Sequence, residues 1–403
     1  MYKIHSVCRA CGSLALNEVF SFGKPMPLAN DFTLPDQERQ GFVPVRIMRC
    51  SGCGLAQLGE TVDPAILYKN YLYVTSSSKT MERHFDRLVK DMASENGIGS
   101  LVEVGANDGL FIQYAKRRGF GPVAGIDPAA NLAGARGQGA IMITEFFSVG
   151  SASIALSKLS KVDTILARHC FCHQEWYPFM DAVAEMSNPK TLVCIEVPYV
   201  KDMLARTEFD SIYSEHTSYM SLKAMAALLK STEFHLHAVV RYGIHGGALL
   251  VMLRHNDSEI EPHLSAEEYL SEENITDDDW LNFSCRALLK TNRIREAVRQ
   301  ARSEGKIVSA FGASAKASVL INACGFTKKD IAFVTDNSPL KPGRLISGTD
   351  IPIIEEAQML AEHPDYSLLS AWNFKAEILS KCQKWRDRGG RFIVPTAEGV
   401  EIV

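Results

Sequence analysis

Glu103, Gly105, Gly109 and Asp127 are the residues whose types and spacing first suggest chemistry. Glu103 sits in the short apolar run 101–104, which reaches Gly105 and then, past Asn107 and Asp108, Gly109. A second apolar run, 123–126, ends at Asp127 and Pro128, about one strand–helix unit later. Glycines at such a turn let a ligand approach the backbone, and an acid at the end of the next strand accepts hydrogen bonds from ribose hydroxyls. The pattern describes a pocket for an adenosine-containing cofactor. Its spacing, Glu-x-Gly-x-x-x-Gly, is not the dinucleotide Gly-x-Gly-x-x-Gly that cradles a pyrophosphate.

That spacing suits S-adenosylmethionine (SAM), which carries no phosphate. A second cluster offers proton transfer: Tyr213, Glu215 and His216 put a phenol, a carboxylate and an imidazole within four residues. Histidine titrates near neutral pH and its neighbours tune it, so His216 is the candidate base, with Glu215 expected to orient it. The plain alternative is a polar loop in which Glu215 and His216 satisfy each other. A third cluster is metal-binding in type. Cys8-x-x-Cys11 and Cys50-x-x-Cys53 are each followed by glycine, and four thiolates close a tetrahedral structural zinc site with no open position. A redox dithiol is the competing reading. In 168–173, Cys170 and Cys172 read as small buried residues beside a pocket rather than as ligands.

These groups need elements to hold them. Phe85, Leu88, Val89 and Met92 mark one face of a helix over 84–95. Strands are expected at 101–104, 122–126, 140–143, 162–167, 191–197 and 247–253, with helices such as 175–187 between them. The alternation predicts a mostly parallel sheet covered on both faces. A charged helix over 284–304 precedes a second βαβ pattern: a strand at 306–311, a turn at 312–317, and a strand ending at Asp336. There Gly312, Ser314 and Ala317 stand where a dinucleotide site would carry three glycines. NAD is therefore disfavoured, although a helix start beside Lys316 suits a phosphate.

The 403 residues are 46% hydrophobic and 22% charged, with a net charge of −4. That is an ordinary globular composition, with no basic run to favour nucleic acid and no stretch long enough to span a membrane. The N-terminus lacks a signal-peptide core, so a cytoplasmic location is expected. Three units are expected in an α/β fold. They are an N-terminal zinc-binding domain (1–75), a central class I SAM methyltransferase Rossmann-like domain (76–290), and a C-terminal Rossmann-like domain (291–403).

Taken in order, these segments resemble the three-domain nucleotide-sugar C-methyltransferases, which act on dTDP-linked 4-keto deoxysugars. The resemblance covers almost the whole chain. It rests on the paired Cys-x-x-Cys, Tyr71-Leu-Tyr-Val-Thr-Ser-Ser-Ser, the 102–109 loop, Gly-Ile-Asp-Pro (125–128), Ala-Arg-His-Cys-Phe-Cys-His (167–173) and Tyr-Ser-Glu-His-Thr-Ser-Tyr (213–219). His-Gly-Gly (245–247), Phe-Gly-Ala-Ser-Ala-Lys-Ala (311–317) and Trp-Asn-Phe (372–374) follow. The resemblance implies SAM contacts from Glu103, Gly105, Asn107 and Asp127, with Asp108, Gly109 and Pro128 beside them. It implies zinc on Cys8, Cys11, Cys50 and Cys53. It also implies proton transfer by Tyr213, Glu215 and His216, with His173 and Tyr73 facing a nucleotide-sugar, and a third domain that covers this substrate without NAD. Two positions depart from the family: Ser214, where histidine is usual, and Leu250, where arginine is usual. They bear on which sugar is used. No nucleic-acid or membrane partner is expected, and a monomer is favoured.

Overall fold

The computed structural model of the protein describes residues 1–68, 72, 79–131 and 139–403. Tyr71 and Tyr73 lie outside the described residues.

The central unit is a seven-stranded sheet. Its order is Ile141–Ile143, Val123–Ile126, Leu101–Val104, Thr164–Arg168, Leu192–Pro198, Ala248–His255 and Phe234–Tyr242. The first five strands are parallel, and Ala248–His255 runs antiparallel to both of its neighbours. Strands Leu101–Val104 and Thr164–Arg168 are buried at every residue, as expected of strands covered on both faces. Helix Lys79–Asn96 brings Phe85, Leu88 and Met92 into one of the covering cores, as their spacing predicted. The edge strand Phe234–Tyr242 had no clear sequence signal. Its pairing with Ala248–His255 carries a register shift between Leu236 and Ala238, beyond which the alternation of Phe234, His235, Leu236 and His237 is lost.

The N-terminal unit carries a smaller sheet of Leu16–Ser21, Arg46–Cys50, Ala56–Leu58 and Ser218–Tyr219, and of the four cysteines Cys50 ends a strand while Cys8, Cys11 and Cys53 lie in or beside the adjoining turns. Its last strand comes from the central part of the chain: Ser218 pairs with Gln57 and Tyr219 with Ala56. The C-terminal unit is a six-stranded sheet, five strands parallel, centred on Val308–Phe311 and Tyr366–Leu369. One helix, Asp277–Ser303, runs through the expected boundary at 290. Thr276 caps it, with Asp279 bonding back to the Thr276 amide. Among the described residues no helix is long and apolar enough to cross a membrane.

Candidate active site

Ligands in such sheets sit beyond the carboxyl ends of the strands, where the order reverses. Here the reversal lies at Leu101–Val104, with Val123–Ile126 on one side and Thr164–Arg168 on the other. A cavity of about 290 Å³ opens there, and its far wall comes from the C-terminal unit.

Gly105, Asn107, Asp127 and Pro128 form one wall. Gly105 has φ +74°, and a Cβ there would stand 2.9 Å from the Cβ of Cys170. The turn therefore needs glycine twice, once for its conformation and once for space. Asp127 accepts from the backbone amides of Asn107 and Ala129, each at 2.8 Å, which locks the acid at the end of its strand. Asp108 accepts from the Leu110 amide, and Gly109 (φ +74°) starts helix Leu110–Arg117. Both shape the loop without lining the cavity.

Glu103 is placed differently from the expectation of direct cofactor contact. It is wholly buried and bonded at 3.0 Å to Arg168, and Arg168 is the residue that lines the cavity. Burial pushes the Glu103 carboxyl up to about 7, against the pull of the Arg168 guanidinium. Arg168 lies over the rings of Phe85 and Phe111. The partnership was not legible in the sequence, because 65 residues separate the two side chains.

Of the residues expected to transfer protons, Tyr213, His216 and His173 line the same cavity. His216 Nδ1–H donates to the Ser211 carbonyl at 2.8 Å, which leaves Nε2 as the basic nitrogen. The Tyr213 hydroxyl is 2.9 Å from that nitrogen. Burial and the neighbouring His173 hold His216 well below the usual histidine range, so it is a neutral base at pH 7. The orientation expected from Glu215 thus comes from a backbone carbonyl. The Glu215 carboxylate is buried and turned away, accepting from Asn30 and Ser214, while its backbone oxygen accepts from His173 Nδ1 at 2.6 Å. Tyr68, which the sequence reading did not single out, lines the cavity, and its hydroxyl stands 3.2 Å from His173 Nδ1. Its only sequence signal was its nearness to the Tyr71/Tyr73 pair.

On the far wall stand Lys316, Lys341, Ala371, Asn373 and Phe374. Asp336, at the position of a dinucleotide ribose acid, is already surrounded. It accepts from the amides of Ala313 and Ser338 and faces Lys341 Nζ at 3.3 Å. Ser314 caps helix Ala315–Cys324 through the Ala317 amide.

The four N-terminal cysteines converge, with sulfurs 3.5 Å (Cys8–Cys53) and 3.6 Å (Cys11–Cys50) apart, and every thiol within 4.8 Å of the others. Hydrogen bonding from Cys53 draws the Cys8 thiol down to about 5. Four sulfurs in this arrangement fit one tetrahedral zinc ion and leave no open position.

Three family models match the chain. One, described as a C-methyltransferase C-terminal domain, covers 243–396. A zinc binding domain covers 8–68, and a methyltransferase domain covers 78–239. The C-methyltransferase NovU of Streptomyces niveus is 32% identical, over 97% of this chain and 95% of its own length. Among solved structures, the 1,6-didemethyltoxoflavin-N1-methyltransferase of Burkholderia thailandensis is 16% identical, covering 44% of this chain and 80% of its own, with a TM-score of 0.33. The N-methyltransferase NodS of Bradyrhizobium japonicum is 11% identical, covering 45% and 90%, with a TM-score of 0.35. Overlaps of that quality carry no argument about substrate.

Proposed function

The chain belongs to the C-methyltransferase family, and from that premise we propose that it methylates a carbon beside the ketone of a nucleotide-linked 4-keto-deoxysugar, with dTDP as the carrier. It is a SAM-dependent enzyme with a zinc-binding domain. The observation that carries the finer reading is the shared cavity. The Gly105–Asp127 wall and the Tyr213–His216 pair open onto the same space.

A carbon next to a ketone loses its proton to a positioned base because the resulting carbanion delocalises into an enolate. His216 Nε2 takes that proton while the Ser211 carbonyl holds the ring and its tautomer. The Tyr213 hydroxyl then turns from His216 to the enolate oxygen, where a donor stabilises the developing charge. SAM, when bound, supplies an electrophilic methyl group. Gly105 and Asn107 let it approach the backbone, and Asp127 takes its ribose hydroxyls. His173 and Tyr68 border the sugar, and Lys316 and Lys341 bring positive charge to the wall assigned to the phosphates. Lys316 is 3.7 Å from Glu208 and lies over the Trp372 ring, so a phosphate there shares an existing pair. The zinc site holds the N-terminal sheet and takes no part in the chemistry. A cytoplasmic monomer completes the reading.

The test is incubation with SAM and a panel of dTDP-4-keto-deoxysugars, read as a mass gain of one methyl. Deuterium washout from the sugar in the absence of SAM is expected. Methylation of a hydroxyl or amine without washout would replace C-methylation with O- or N-methylation.

A further inference from the structure

Glu196 stands outside the residues assigned to methyl transfer. It lies near the end of strand Leu192–Pro198 and is wholly buried. A carboxylate taken out of water needs a compensating partner. Neither oxygen has a hydrogen bond of ordinary geometry among the described residues, but two imidazoles stand against it. His84 Nε2 is 2.5 Å from Oε1, and His169 Nε2 is 3.8 Å from Oε2. His84 comes from the covering helix and is buried, whereas the His169 ring is 20% exposed and lines the cavity.

His169 is tied to the same residue through its backbone, since its amide donates to the Glu196 carbonyl at 2.7 Å. Its φ of +51° is one that side-chain-bearing residues rarely adopt. Such conformations persist only where the surroundings enforce them, and at a cavity wall they point to a role. The ring packs edge-on against His245, 4.9 Å between centroids, and His245 is contacted in turn by Asn373 of the C-terminal unit. His169 therefore belongs to the wall assigned to the sugar-nucleotide.

We propose that Glu196 holds His169 as the Nε2–H tautomer, so that Nδ1 accepts a hydrogen bond from a hydroxyl or amino group on the bound sugar. At 3.8 Å the carboxylate stands beyond hydrogen-bond distance, but its charge favours the tautomer whose N–H faces it, which leaves the other nitrogen bare. His169 is then a residue that selects sugars carrying a donor beside the ketone, and Glu196 and His84 position it. The substrate part of this inference rests on the sugar-nucleotide reading above; the tautomer does not.

Nitrogen-15 NMR of the histidines in the zinc-loaded full chain tests the tautomer, with the His169 signals identified by their loss in His169→Gln. A protonated Nε2 and a bare Nδ1 are expected at pH 7, with a mixture of tautomers in Glu196→Gln. A protonated Nδ1 in the unsubstituted protein overturns the proposal, whatever the substrate proves to be. Kinetics test the selection. His169→Gln is expected to raise KM by about tenfold for a keto-sugar nucleotide bearing the donor, the worth of one hydrogen bond. It should raise KM for the deoxy analogue by less and leave the SAM dissociation constant unchanged. Equal losses on both sugars, or weakened SAM binding, overturn it. If the unsubstituted enzyme methylates neither sugar, the sugar-nucleotide reading has failed, and the selection with it, while the NMR still decides the tautomer.

Discussion

Replacing Gly105 with alanine separates two penalties that the structure places on one atom. The first is conformational. At φ +74° an L-residue pays roughly 1–2 kcal/mol that glycine does not. The second is steric. The new Cβ would meet the Cys170 Cβ at 2.9 Å and its Sγ at 3.1 Å, well inside carbon–carbon contact near 4 Å. Overpacking of this kind costs about 1–3 kcal/mol, so the variant should lose about 2–5 kcal/mol in all. In a unit of 150–250 residues that lowers the melting temperature by roughly 4–20 °C. Gly97 supplies the control. Its φ is +69°, but a Cβ there meets nothing within 4 Å, so Gly97→Ala should show the conformational penalty alone. Adding Cys170→Gly to Gly105→Ala removes the opposing Cβ and should recover the steric share only. The assays are calorimetric unfolding and isothermal titration with SAM, whose affinity should fall at least about tenfold in Gly105→Ala as the turn shifts. If Gly105→Ala and Gly97→Ala melt together and the former binds SAM normally, the close approach to Cys170 is not what shapes this turn.

Four further outcomes follow from the same geometry. His216→Asn should slow deuterium washout and methyl transfer together by about 10²–10⁴-fold with SAM binding intact; retained turnover would remove His216 as the base. Because burial depresses its pKa, His216 stays unprotonated as the pH falls through 6.5, and kcat/KM should turn down only well below that value. Glu103 behaves in the opposite sense. Its folded pKa of about 7 lies above the ordinary 4.5, so the native state keeps a proton that the unfolded chain sheds, and stability declines as pH rises between those values; Glu103→Gln should flatten that slope in melting curves. Stripping zinc with a chelator should unfold the N-terminal sheet and also suppress methyl transfer, since Ser218–Tyr219 and the Asn30 contact to Glu215 join it to the catalytic loop. Full activity in metal-free protein would break that link.

What the sequence revealed was local. Gly105 and Asp127 belong to one strand–turn–helix–strand unit, and each cysteine pair spans four residues, so their chemistry shows in a short window. The Tyr213–His216 pair was visible for the same reason. The residues that complete the site come from far along the chain: Arg168 for Glu103, Asn30 for Glu215, and Glu196 with His84 for His169. Nothing in local spacing marks a partner 65 or 185 residues away. Glu215 shows the limit most clearly. Its place beside His216 suggested that its carboxylate orients the imidazole, yet the backbone turn points it to Asn30 and leaves Ser211 to do the orienting.

The shared strand at 218–219 also bears on how such enzymes can be recombined. A chimaera cut between the zinc-binding unit and the methyltransferase sheet would sever the pairing of Ser218 with Gln57 and of Tyr219 with Ala56, two residues beyond His216. Substrate range would then move between homologues only when residues 1–62 and the loop 209–221 are exchanged as one cassette. Exchanging either alone would leave a mismatched seam next to His216.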